Sequence, residues 1–523
     1  MLYQHFMETN IAIIGFGVIG TEVLSKICES YKNKKKKLNI LIVEKNLKNI
    51  PGGEAYSEYQ SKYGFFNNPL RISNPEFVRW LKDKKNNKKL CNISLEKKYN
   101  LDNWLKLNNF FCEKKISKFD ELYVPRFFYS IFLQEKIFKS LKNLKKNIKV
   151  TFLNGEIKEI ENEKINHCYF KNNANKYSYF FRNKKIIFKK INFKFKSFKS
   201  ENIILGTGVL PPQKINIEEK ISNKNYIDDF YGSRGTFNLI NKINNKLKNK
   251  KKIKIIFIGN KAGLLEAMPE LQKLTLRFKK RIKITCISPS SITLEKAELS
   301  RNYQNFELVL PKNFKNKDVN KAHDLYRYIV KEFKNGTKNG FNKYDVWTSI
   351  LKKRILNKMY KSLSGKEKIK YNENVFTKIR NITRYTYPHT VDAKEKLEDD
   401  KILKFIIGRV LKINEIKKKL FVISEKKQKI FGDIIINVSG PTNLKKANTS
   451  LNYLESLKKI SQNFNSRAFF TNNSFMLKNN IYMPGTLSLN FNPNRLTIIR
   501  AITRNAHKVA INISKKYNKK NYD

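Results

Sequence analysis

Glycine is scarce in this chain of 523 residues, 20 in all, yet three glycines fall within six positions at Gly15, Gly17 and Gly20. Cysteine is scarcer still. The five cysteines, at positions 28, 91, 112, 168 and 286, are odd in number and never closely spaced. That excludes a disulfide framework, a zinc-ligand spacing and the neighbouring cysteine pair of a flavin disulfide reductase. Five scattered histidines contain no HxxxH or HExxH, so metal catalysis has no support and no metal site is expected. No apolar run approaches the roughly 20 residues needed to span a bilayer, and the first strand-like run follows ten residues without a cleavable signal. A soluble, cytoplasmic protein is the expectation.

Acidic residues are also few. Lys and Arg total 107 against 44 Asp and Glu, giving a formal charge of +63. Such an excess ordinarily points to nucleic acid or an anionic membrane. Here the lysines accompany an equally heavy load of Asn, Ile, Phe and Tyr and are scattered as pairs and short runs, the pattern of an AT-rich coding bias. The run Lys34 to Lys37 reads as a solvated loop, and nucleic acid is disfavoured as a partner. A positive surface would still attract anionic substrates and NADPH.

The glycine cluster is the most informative feature present. Ile11 to Ile14 reads as a buried strand and Val18 to Ile27 continues at helical spacing, so the glycines occupy a strand-to-helix turn. Gly15 permits the tight turn, Gly17 lets backbone approach a pyrophosphate, and Gly20 lets helix and strand pack closely. Leu38 to Glu44 reads as a second parallel strand whose last residue, Glu44, is placed to bind a ribose.

Further along, Pro51-Gly-Gly-Glu-Ala-Tyr56 and Gly64-Phe-Phe-Asn-Asn-Pro69 read as a long loop. Helices are expected at Pro75 to Lys82, with Phe77 and Trp80 as a core pair, and from Pro125-Arg126 to about Leu141. Lys149 to Leu153 reads as a strand and Glu156 to Lys199 as a meander of short strands with a lysine-rich insertion. Asn202 to Pro212 is a strand running into Gly206 and Gly208. A second βαβ unit begins at Lys252, with a degenerate turn in which Gly259 and Gly263 flank Lys261 and Ser288 replaces the acid. Its helix, Ala262 to Leu274, is expected to break or kink at Pro269. Residues 289 to 400 read as a helical insertion or cap, with helices at Val319 to Lys334 and Val346 to Lys358. Strands return at Phe405 to Val410 and Asp433 to Pro441, and a helix closes the chain from Leu496 to Lys515.

These motifs, in this order, resemble the two-dinucleotide-binding-domain flavoproteins, specifically the bacterial FAD/NAD(P)-binding family whose N-terminal domain is shared with FAD-dependent urate hydroxylases. The similarity rests on GFGVIG with Glu44, PGGEAYS followed by FFNNP, YVPR, LGTGVLPP, NVSGP and MPGTLS. It implies an α/β fold: a Rossmann-like FAD-binding domain, a second, partly degenerate NAD(P)-binding-like domain and a helical insertion. The implied division is residues 1–235 for the first part of the FAD-binding domain, 250–400 for the second domain, and 401–523 for completion of the first. It also implies that Gly15, Gly17 and Gly20 hold the FAD pyrophosphate, Glu44 the adenosine ribose, and that Gly52, Gly53, Asn67, Gly206, Gly208 and Gly485 line the cofactor. Arg126 reads either as a fork for a phosphate or carboxylate or as a surface arginine at a helix start. Lys261 could meet the 2′-phosphate of NADPH as a point charge, and His389 reads as a loop histidine.

The leading expectation is an FAD-dependent, NAD(P)H-using oxidoreductase, a monooxygenase acting on a small molecule. A flavin dehydrogenase that makes no use of NAD(P)H, or a non-catalytic dinucleotide fold with a basic surface, fits the same motifs.

Overall fold

A computed structural model describes residues 7–95, 122–300, 306–308, 321–445, 453–488 and 498–519, apart from 34, 57–62, 184, 211, 218–220, 222, 223, 233, 280, 291, 292, 354, 418, 466 and 467. Two runs of Ile, Leu and Val near the amino end make neighbouring parallel strands, β1 (Glu8–Ile14) and β2 (Leu38–Glu44), in register Ile11↔Ile40 through Ile14↔Val43. Their middles are apolar at every position because both faces are covered. Helix α1 (Val18–Ser30) links them.

Helix α2 (Pro75–Lys82) has the bounds its pattern predicts, capped by the Asn74 side chain, with Phe77 stacked on Trp80. Helix α3 (Arg126–Lys142) starts directly after Pro125 and presents Phe128, Leu133 and Ile137 inward. Strand β3 (Ile148–Asn154) then joins β2 in parallel. The expected meander is instead β4 (Ile157–Asn162) followed by one long hairpin, β5 (Asn166–Arg182) and β6 (Lys185–Leu205). Two register shifts in the β5–β6 ladder interrupt the strict alternation that would have revealed such long strands. The last residues of β6 turn parallel to β1, pairing Ile14 with Leu205.

A second parallel sheet repeats this plan. After β7 (Asn216–Ile217), β8 (Tyr226–Ile227) and α4 (Gly235–Asn249) come β9 (Ile253–Ile258), α5 (Ala262–Arg277) and β10 (Ile282–Ser288). Helix α5 runs unbroken through Pro269, whose side chain is buried, so packing offsets the missing hydrogen bond and the expected break does not occur. Between β10 and the next core strand lie β11 (Glu295–Lys296), α6 (Ala322–Lys338), α7 (Lys343–Lys352), α8 (Ile355–Ser362), β12 (Tyr385–Thr386) and α9 (Pro388–Asp399). Helices α6 to α8 have an apolar core of their own around Leu325, Ile329, Val346 and Tyr371. The helix expected over Val346 to Lys358 is split between α7 and α8.

Strands β13 (Leu403–Ile407), β14 (Val410–Ile416), β15 (Lys419–Ser424), β16 (Lys429–Gly432) and β17 (Ile434–Asn437) follow. β13 pairs with β10 and β17 with β9, so both join the second sheet, of order β13-β10-β9-β17-β8, while β14 to β16 form a four-stranded sheet with β7, of order β16-β15-β14-β7. Assigning everything after 400 to the first unit misses this, because short Ile-rich strands carry no mark of which sheet they join. The chain returns to the first unit through α10 (Tyr453–Ser461), β18 (Met476–Lys478), β19 (Ile481–Tyr482) and α11 (Ile498–Lys519). The first sheet is ordered β18-β19-β6-β1-β2-β3-β5-β4.

Candidate cofactor site and the junction beside it

The first turn is built from backbone. Gly15 has a φ of +86°, which glycine adopts without steric cost, and a Cβ there would lie 2.7 Å from the Gly206 carbonyl oxygen. The approach is that close because the Gly15 N–H donates to the Val43 carbonyl at 2.8 Å and the Gly206 N–H to the Ile14 carbonyl at 2.7 Å. Gly20 packs against the Gly15 carbonyl from the helix side. Gly17 is the N-cap of α1, with no capping side chain and no acid in the first turn. Such a helix start offers amide donors and a positive dipole end to an anion.

Gly17 also forms a bridge with Gly52, and a Cβ at 17 would touch the Gly53 Cα at 3.5 Å. The turn after β2 therefore shares this corner. A side chain at 17 meets backbone as well as any ligand, which the sequence pattern alone does not reveal.

Glu44 closes β2. Its Oε2 accepts from the Phe16 N–H at 2.8 Å and its Oε1 from the Asn46 N–H at 2.9 Å, which fixes the carboxylate beside the glycine turn. Burial nonetheless raises its pKa above the ordinary carboxylate value. Across the turn, the Tyr453 hydroxyl donates to Thr207 at 2.6 Å, and the Thr486 hydroxyl to the Gly208 carbonyl at 3.1 Å. A Cβ at Gly208 would meet nothing within 4 Å, whereas one at Gly485 would lie 2.7 Å from Ile19. Gly15, Gly17, Gly20, Glu44, Gly52, Gly53, Gly206, Gly208 and Gly485 thus gather at the carboxyl edge of the first sheet and the start of α1.

Arg126 and Asn67 stand at the junction between the two units. Arg126 is neither at the surface nor awaiting an anion: its Nη1 lies 2.9 Å from Glu266 Oε2 of α5, and its Nε donates to the Phe65 carbonyl at 3.0 Å. The two side chains are 11% and 5% exposed, making this a buried ion pair across the junction. Burial alone would favour losing the guanidinium proton, but Glu266 outweighs it and holds Arg126 charged. The Tyr231 hydroxyl adds a 3.4 Å contact to the same carboxylate. Asn67 accepts from the Thr386 hydroxyl at 3.4 Å. Beside these groups is a small, partly open hollow of about 10 Å³, walled by Tyr63, Phe65, Glu266, Tyr387 and Thr390. Phe65 and Tyr387 stack at 4.8 Å.

The second turn copies the backbone of the first. The Gly259 N–H donates to the Ile287 carbonyl at 2.9 Å and the Val438 N–H to the Ile258 carbonyl at 3.0 Å, matching Gly15 and Gly206. The side chains differ. Lys261 is the N-cap of α5 where the first unit has Gly17, buried Leu264 stands in the place of Gly20, and Ser288 in that of Glu44. Burial, and then Arg384, lower the Lys261 pKa. The two units meet again where Pro212 pairs with Pro441 and the Gln213 N–H donates to the Gly440 carbonyl at 3.0 Å. His389 lies in the first turn of α9 rather than in a loop. Glu266 went unnoticed in the sequence, although an acid within Gly263-Leu-Leu-Glu-Ala-Met268 is a visible anomaly in an apolar helix. Among the described residues no group of three or more His, Cys, Asp or Glu could hold a metal, and no helix is long and apolar enough to cross a membrane.

This architecture is a two-unit α/β fold of the Rossmann type. Residues 12–179 match the FAD-NAD(P)-binding family. No curated protein matches the chain in sequence. Among solved structures it is similar to the desferrioxamine-pathway cadaverine monooxygenase of Erwinia amylovora, determined with FAD bound, at 12% identity and a TM-score of 0.50, covering 97% of this chain and 94% of that one. It is also similar to the bacillithiol disulfide reductase of Staphylococcus aureus (11% identity, TM-score 0.45, 98% and 99% covered). A lysine monooxygenase of Nocardia farcinica gives 12%, 0.44, 96% and 99%.

Proposed function

We propose that the protein is an FAD-dependent oxidoreductase that acts on a small molecule, as an NAD(P)H-dependent monooxygenase. The single observation that carries this reading is the uncapped, backbone-lined start of α1 with the Glu44 carboxylate hydrogen-bonded to the Phe16 amide beside it. In this reading the α1 amides take the diphosphate, Glu44 the adenosine ribose hydroxyls, and the backbone around Gly208 and Gly485 faces the flavin end. When bound, FAD supplies hydride acceptance and oxygen chemistry.

The chain's own residues position the two units. The Phe65–Tyr387 stack packs at the junction, and Arg126–Glu266 fixes the second unit against the first. The first unit comprises residues to about 212 together with those from 453, and the second runs from about 216 to 437.

A second reading, a flavin dehydrogenase without NAD(P)H, is favoured by one observation: Lys261, Leu264 and Ser288 replace the residues that make the first turn a dinucleotide site. An absorbance spectrum of the purified protein decides. A flavin spectrum bleached by NADPH supports the monooxygenase reading, a flavin spectrum indifferent to NADPH and NADH supports the dehydrogenase, and colourless protein that takes up no added FAD contradicts both.

A further inference from the structure

The lysines scattered along the sequence are partly gathered by the fold. The antiparallel register Phe152↔Tyr177 sends β5 away from the cofactor edge, so the β5–β6 tip points to the edge where β2 and β3 begin. From Lys171 to Ser200 this hairpin contains ten Lys or Arg and no Asp or Glu. At its tip Phe180 and Phe181 are 46% and 39% exposed, beside exposed Arg182, Lys185 and Lys189.

Phe181 rests on Phe138 of α3, with ring centroids 5.0 Å apart, and Lys142, Lys145 and Lys146 are exposed just beyond. Lys145 donates to the Tyr31 carbonyl and Asn147 to the Asn33 carbonyl, so the loop after α1, with exposed Lys35 and Lys37, completes the same edge.

We propose that this edge docks peripherally on anionic phospholipid membranes, the hairpin tip entering the headgroup layer and the surrounding lysines meeting lipid phosphates. The inference is independent of the flavin reading. Adjacent strand positions point to opposite faces, so Phe180 and Phe181 make the ribbon apolar on both sides. A platform for stacking nucleic-acid bases collects its aromatic rings on one face. A two-sided apolar tip ringed by cations matches the boundary between headgroups and acyl chains. The cofactor edge, at the other end of the parallel strands, stays clear of the bilayer.

The test is co-sedimentation of the full chain with phosphatidylcholine vesicles, with and without phosphatidylglycerol, at about 0.15 M salt. Binding is expected only to the anionic vesicles, and Phe180→Ser with Lys185→Glu and Lys189→Glu should weaken it at least tenfold while leaving Tm unchanged. Lys142→Glu at the end of α3 with Lys146→Glu just beyond it should weaken it independently of hairpin folding. No binding to anionic vesicles, or binding that survives both variants, overturns the proposal. So does single-stranded RNA binding abolished by the same variants in protein that ignores vesicles.

Discussion

At the scale of single residues, Gly15 and Gly17 make different demands. Gly15→Ala forces a Cβ to 2.7 Å from a backbone oxygen at a positive φ, so it should destabilise the protein by about 1–3 kcal/mol, read as a lower Tm. Gly17→Ala meets only ordinary contact with Gly53, so it should stay folded while flavin content falls. Glu22 offers a pH test. It is fully buried on α1, within 2.5 Å of Lys136 and 2.8 Å of His507. Burial raises its pKa, but His507 and Lys136 together outweigh burial and leave it below the ordinary value of 4.5. A depressed folded-state pKa stabilises above the ordinary carboxylate range, and that contribution is lost as pH falls through the lowered value. Glu22→Gln should therefore cost about 3 kcal/mol near neutrality, and the gap from the parent protein in denaturant titrations should narrow as pH drops below about 4.

At the scale of elements, legibility followed local signals. β1, α1, β2 and α2 were readable because apolar runs, glycines and an Asn-Pro start are encoded within a few residues. The long β5–β6 hairpin was not, since its register shifts spoil alternation, and neither was the continuity of α5 through Pro269, which depends on packing from elsewhere. Arg126 shows the limit most clearly. Its position at a helix start is local information, but its partner Glu266 lies 140 positions away and is brought by the meeting of two units. Arg126→Met should leave the buried Glu266 carboxylate without its cation and cost about 3–5 kcal/mol, whereas Arg126→Met with Glu266→Met should recover most of that loss. A double-mutant cycle in urea measures the coupling, and additive losses would show that the pair does not join the units.

At the scale of the whole molecule, two sheets with matching turns differ in what their turns present: bare backbone and an acid in the first, a lysine and a serine in the second. Composition spoke poorly at this scale, because the +63 charge reads as a coding bias until the fold brings part of it to one edge. The order of glycine motifs spoke well for the fold, since a tight strand-to-helix turn needs its residues in sequence and so writes itself locally. In the function proposed, the start of α1 grips the diphosphate of FAD. Flavin absorbance of purified protein, compared between the parent chain and Gly17→Ala after incubation with excess FAD, tests it most directly. Stoichiometric flavin in the parent with a large loss in a folded Gly17→Ala is the expected result, and equal flavin content in the two would contradict the claim.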